Sequence, residues 1–263
     1  MRNTLFLWTV LLASGVWLAG CASQPVATDK VAGTRAPTSA SPDPSLTTIT
    51  IDSPDGVKIV GSFWESAKAN SPAVLLLHQW QSDRHSYDDF AKRLNAKGFN
   101  VLSIDGRGFG ESVKTADGKT VAPERTDAAV KEMLGDIGAA FDFLSKQKNV
   151  DPSRVGIVGA SYGSSLAIIY AADNPKVKAV ALLSPGLNYF GNMPTEPAVA
   201  KYGNRPLLLV AAEDDAESAE AVKKLSSAND KYQVKIYDEG GHGTALFKVG
   251  LGDLLEEFLS KSL

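Results

Sequence analysis

The chain has 263 residues, 44% apolar and 22% charged, with a net charge of −3, which suffices for one domain with a large core and does not demand two. Near-neutrality without a Lys/Arg cluster gives a nucleic-acid role no electrostatic support. A single cysteine, Cys21, excludes an internal disulfide. His78, His85 and His242, with no Cys/His cluster and no His-Glu-x-x-His pair, offer no structural metal site.

Residues 1–20 carry Arg2, an uncharged run over 5–18 and small residues up to Cys21, the layout of an export signal. The run is shorter than the roughly 20 apolar residues that a bilayer crossing takes, and the flank beyond Cys21 is small and polar rather than basic. Leu18-Ala19-Gly20-Cys21 resembles the lipobox of bacterial lipoproteins. That resemblance implies cleavage before Cys21 and lipidation of Cys21 by a diacylglyceryl thioether and an N-terminal acyl chain. More than one acyl chain is what stable membrane anchoring takes. Ala22, rather than Asp, resembles lipoproteins sorted to the outer membrane, so the expected location is the bacterial envelope, facing the periplasm. The alternative is a plain secretory signal with Cys21 at its cleavage site by chance. Residues 21–45 are rich in Ala, Thr, Ser, Pro and Gly and cannot offset their ordering entropy by burial, so a flexible tether is expected.

The globular domain is expected over 46–263. Residues 46–51 and 57–64 alternate around Ser53-Pro54-Asp55-Gly56 and read as an antiparallel hairpin. Residues 72–78 form a continuous apolar run, the pattern of a strand buried on both faces of a parallel sheet. A helix is expected over 82–97, ended by Gly98, then a buried strand over 99–104 and the turn Asp105-Gly106-Arg107-Gly108-Phe109-Gly110-Glu111-Ser112. Residues 127–146 carry Val130, Met133, Leu134, Ile137, Phe141 and Leu144 on one side of a helix. Further strands are expected over 155–160, 177–183, 206–211 and 232–237, and helices from 162 and over 216–227 and 245–261. Alternating strands and helices predict an α/β architecture with a mainly parallel twisted sheet and helices on both faces. Residues 184–205 have room for a short lid but not for a large cap domain.

Gly159-Ala160-Ser161-Tyr162-Gly163 ends the strand over 155–160 and opens the next helix, so Ser161 falls on a tight turn with its hydroxyl exposed at a helix N-terminus. There the Tyr162 N–H and the helix dipole favour an oxyanion. In an open parallel sheet ligands bind beyond the carboxyl ends of the strands. His78-Gln79-Trp80, Ser161, Glu213-Asp214-Asp215 and Gly240-Gly241-His242-Gly243 all lie there. A serine hydroxyl needs a base to take its proton, and the base needs a carboxylate to fix its tautomer. Ser161, His242 and Asp215 supply that set.

These motifs together resemble the α/β-hydrolase superfamily over about 46–263, and within it the chain is similar to the small dienelactone-hydrolase-like and serine-esterase members that lack a large cap. The resemblance implies a serine hydrolase that cleaves carboxylic esters through an acyl-enzyme, with a small acyl-ester substrate and no cofactor. Ser161 would be nucleophile, His242 base and Asp215 the orienting acid. The residue after the strand-end His, usually Gly, is Gln79; the implied oxyanion donors are the N–H groups of Trp80 and Tyr162. Counting along the acid loop as in family members selects Asp215, with Asp214 as the alternative and Glu213 behind both. His78 is expected to brace the oxyanion loop, and His85 to be solvated. Two other readings stand: a peptidase or amidase with the same triad, and a non-catalytic binding module on the same scaffold.

Overall fold

The computed structural model describes residue 43 and residues 45–263. The expected signal peptide, Cys21 and most of the expected tether lie outside the described residues. In chain order the strands are β1 (Leu46–Asp52), β2 (Lys58–Trp64), β3 (Ser71–Leu77), β4 (Asn100–Ile104), β5 (Val150–Ala160), β6 (Val177–Leu183), β7 (Asn188–Tyr189), β8 (Met193–Pro194), β9 (Leu207–Ala212) and β10 (Gln233–Tyr237). The α-helices are α1 (Asp88–Ala96), α2 (Asp127–Ser145), α3 (Tyr162–Asp173), α4 (Thr195–Tyr202), α5 (Ala216–Ser226) and α6 (Leu251–Ser262).

Eight strands form one twisted sheet in the order β1-β2-β4-β3-β5-β6-β9-β10. β1 pairs antiparallel with β2, and β2 antiparallel with β4. From β4 to β10 every pairing is parallel. Side chains on a strand alternate between faces, and the apolar runs split accordingly. Ala73, Leu75, Leu77 and Ile157 pack on one face with α2, α3, α4 and α5. Val74, Leu76, Val158 and Ala160 pack on the other with α1 and α6. A strand covered on both sides must be apolar throughout, and β4 and β9 are buried along their whole length.

Four elements depart from the sequence reading. The helix expected over 82–97 begins as a 3-10 turn, Arg84–Tyr87, capped by the Asp83 side chain, which accepts from the His85 N–H; α1 follows. β5 starts before residue 155, because Val150 already pairs with Ser71; the register then shifts, and regular pairing resumes at Val155 with Ala73. The helix expected over 245–261 is divided at Gly250, whose φ of 96° ends a 3-10 segment, Gly243–Val249, before α6. The 184–205 stretch contains the two-residue strands β7 and β8 and the eight-residue α4, which sinks Ala198, Val199 and Tyr202 into the core. It adds no cap domain.

Candidate active site

The turn at the end of β5 is tight. Ser161 has φ 54° and ψ −126°, a conformation that non-glycine residues rarely take and that costs about 1–3 kcal/mol. The surrounding glycines make room for it. A Cβ on Gly159 would lie 2.2 Å from the Gly163 carbonyl oxygen, and one on Gly163 would lie 2.6 Å from the His78 carbonyl oxygen. The Ser161 N–H donates to the Leu183 carbonyl at 2.8 Å, and the Ser161 carbonyl accepts from the Ser164 hydroxyl at 2.6 Å. Ser161 as a whole residue is 6% exposed. Burial pushes the Tyr189 phenol pKa up, with hydrogen bonding to Ser161 and Ser218 pulling the other way.

The acid loop separates its three carboxylates. Asp215, the residue before α5, accepts from His242 Nδ1 at 2.7 Å. The carboxylate fixes the tautomer: Nδ1 carries the hydrogen, and Nε2 remains the basic nitrogen. Burial pushes the Asp215 pKa up, but hydrogen bonds from His242, Ser218 and Ser184 outweigh it and hold the carboxyl below its ordinary range. Asp214 accepts instead from the N–H groups of Gly240 and Gly241, each at 3.1 Å, and so braces the loop that carries His242. Glu213 is half exposed and lies 3.7 Å from Lys223.

The Ser161 turn and the His242 loop meet at the end of β6. Leu183 receives the Ser161 N–H, and the hydroxyl of the next residue, Ser184, accepts from the Gly243 N–H at 2.8 Å. Consecutive residues of one strand end therefore hold the backbone at 161 and at 243. The Ser184 carbonyl also accepts from the Tyr189 hydroxyl at 2.9 Å. A Cβ on Gly243 would come within 3.5 Å of the Ala160 side chain. Among the described residues the Ser161 hydroxyl does not hydrogen-bond to His242. Such bonds often tighten only once substrate is bound. The sequence reading did not single out Ser184. Ser184 carried a usable signal, since it follows a buried strand as the other site residues do.

The loop after β3, which carries Trp80, is held through His78, which is 2% exposed. Its Nδ1 hydrogen-bonds to the Gln79 carbonyl at 2.7 Å, and its Nε2 accepts from the Gly106 N–H at 2.8 Å. Burial pushes its pKa down, so the ring is neutral and both nitrogens are engaged. The N–H groups of Trp80 and Tyr162 meet no acceptor among the described residues. The Trp80 ring lies edge-on to Tyr162 at 5.4 Å and to Phe190 at 4.8 Å, and the Arg125 guanidinium stacks over both Trp80 and Phe190. His85 is half exposed and pairs with Asp88. Among the described residues no group of three or more His, Cys, Asp or Glu side chains is placed to hold a metal ion, and no described helix is long and apolar enough to cross a membrane.

The chain is similar to an uncharacterized protein of Mycobacterium tuberculosis, 30% identical over 150 residues, which cover 57% of this chain and 49% of that one. It thus spans about half of that relative's length. A thiohydrolase of Aspergillus aculeatus is 28% identical over 132 residues, covering 50% of this chain and 39% of that one. Acetyl xylan esterase 1 from Thermoanaerobacterium sp. JW/SL YS485 superposes with a TM-score of 0.68 at 18% identity, over 82% of this chain and 83% of that one. At that identity the likeness is one of fold. Residues 59–248, from β2 through the loop carrying His242, match the model of one family, and on that span the chain belongs to the dienelactone hydrolase family.

Proposed function

We propose that the protein is a serine hydrolase of carboxylic esters. Ser161 Oγ attacks the acyl carbon while its proton passes to His242 Nε2, and Asp215 stabilises the imidazolium that forms. The N–H groups of Trp80 and Tyr162 receive the charge on the carbonyl oxygen; one donor of this kind is worth roughly 2.7–4 kcal/mol of transition-state stabilisation. His242 then gives the proton to the departing alkoxide. In the second half His242 takes a proton from water as its oxygen attacks the acyl-enzyme, and then returns that proton to Ser161 Oγ as the bond to the acyl carbon breaks and the acid leaves. The observation that carries the reading is the 2.7 Å bond from His242 to Asp215, on a loop anchored beside the strained Ser161.

The test is hydrolysis of acyl esters of graded length, alongside a thioester and a peptide, by the wild type and by Ser161→Ala. Ser161-dependent turnover of oxygen esters above the others supports the reading. Turnover of the peptide alone would replace it with an amidase, and no Ser161-dependent turnover would leave a binding module. We further propose that lipidated Cys21 tethers the domain to the bacterial envelope, on the strength of the lipobox resemblance. Cys21→Ser is then expected to leave the membrane fraction and to lose incorporation of labelled fatty acid.

A further inference from the structure

Gln79 occupies a position where the family resemblance leads one to expect glycine, and its side chain bridges two of the loops that form the site. Its Oε1 accepts from the Thr244 N–H at 2.8 Å and from the Thr244 hydroxyl at 3.1 Å. Both lone pairs of the amide oxygen are thereby used. The carboxamide also fills the space beside Gly243, where a Cβ would lie 2.1 Å from Oε1 and 2.9 Å from Cδ. The backbone end of the link is fixed as well. The Gln79 carbonyl accepts from His78 Nδ1 and from the Ser82 N–H at 3.2 Å. Residues 243 and 244, directly after His242, are therefore held on one side by Ser184 and on the other by Gln79.

We propose that Gln79 is a positioning residue that sets the spacing between the oxyanion loop and His242. The assignment rests on the serine-hydrolase reading above. The Trp80 N–H and the imidazole act on opposite sides of one tetrahedral carbon, so the distance between their loops decides whether both are aligned at once. Misplacement of about 1 Å can cost on the order of a hundredfold in rate. With glycine at 79 no side chain would span this gap; here one amide oxygen couples the loops.

The experiment is steady-state hydrolysis of 4-nitrophenyl acetate by the full-length protein and by Gln79→Ala, Gln79→Met and Gln79→Glu, with thermal melts as a check on folding. For Gln79→Ala, kcat falls by about tenfold or more while KM stays within about twofold, because the residue acts on alignment rather than on substrate. Gln79→Glu keeps the acceptor for Thr244 and recovers most of kcat. Gln79→Met, of similar length but without the acceptor, loses kcat as Gln79→Ala does, whereas a side chain that merely filled space would be replaced by Met without loss. Folded Gln79→Ala or Gln79→Met with wild-type kcat, or Gln79→Glu that recovers none of it, overturns the assignment while leaving the serine-hydrolase reading intact. If Gln79→Ala does not fold, Gln79→Met and Gln79→Glu carry the test. Ser161-independent turnover by the wild type overturns both.

Discussion

Asp214 and Asp215 are neighbours with the same side chain, and the structure gives them different partners. Asp215 meets the imidazole, whereas Asp214 takes two glycine N–H groups of the loop that presents it. Asp215→Asn is expected to lower kcat by about 10⁴, because the amide no longer fixes the tautomer that His242 needs. Asp214→Asn keeps an oxygen for Gly240 and Gly241 and should cost at most about tenfold. Parallel kcat measurements on one ester separate the two. The sequence left this choice to a count along the loop, since both residues follow the same strand; only the path of residues 240–242 distinguishes them. His78 makes a pH prediction at the same scale. Its folded pKa lies below the ordinary imidazole value of about 6.5, so the unfolded chain binds more protons below that pH. The contribution of His78 to stability is complete above pH 6.5 and is lost as the pH falls toward the folded pKa. Melting curves from pH 7.5 downward should show a drop in Tm that is smaller in His78→Gln. An equal drop in both would exclude His78 as its source.

At the scale of elements, the turn that carries Ser161 depends on backbone clearance. Gly163→Ala would push a methyl to 2.6 Å from the His78 carbonyl and 2.8 Å from the Leu77 carbonyl, backbone atoms at the end of β3 and the start of the loop that carries Trp80. Overpacking of this kind costs about 1–3 kcal/mol. The variant should melt lower and also lose turnover, because the displaced strand end carries Gln79 and Trp80; an unchanged kcat would mean that the strand end does not move. The parallel strands were legible because burial on both faces demands unbroken apolar runs, as in residues 72–77 and 207–211. α4 was not. Pro194, Pro197 and Gly203 give that stretch the look of a loop, yet Pro197 sits in the first helical turn, where N–H groups have no intrahelical acceptor to lose. Gly250 likewise stood in plain view within an apolar pattern, and only its left-handed conformation makes it a break.

At the scale of the molecule, the loop after β4 is pinned beneath the site by buried charge. Arg107 Nε donates to Asp136 at 2.7 Å, and Arg107 also meets Asp55 and Glu132. Asp136 is 2% exposed, and burial drives its pKa up in spite of Arg107 and Ser53. Taking Arg107 away leaves that carboxyl unpaired. Arg107→Ala is expected to cost about 3–5 kcal/mol in urea unfolding, and pairing it with Asp136→Asn should recover part of the loss. If the double variant is no more stable than the single, the unpaired carboxyl is not the source of the cost. The sequence marked residues 105–112 as a Gly-rich turn, but the carboxylates that meet Arg107 lie far away in the chain, at 55, 132 and 136. No local pattern announces such a pairing.

The proposed hydrolysis requires Ser161 to be a nucleophile. Incubation of the full-length protein with a fluorophosphonate, followed by mass spectrometry of its peptides, reads this directly. One covalent adduct is expected, on Ser161, absent from Ser161→Ala and formed much more slowly in His242→Ala. An unmodified Ser161 in folded wild-type protein, or an adduct that persists in Ser161→Ala, would contradict the proposed hydrolysis.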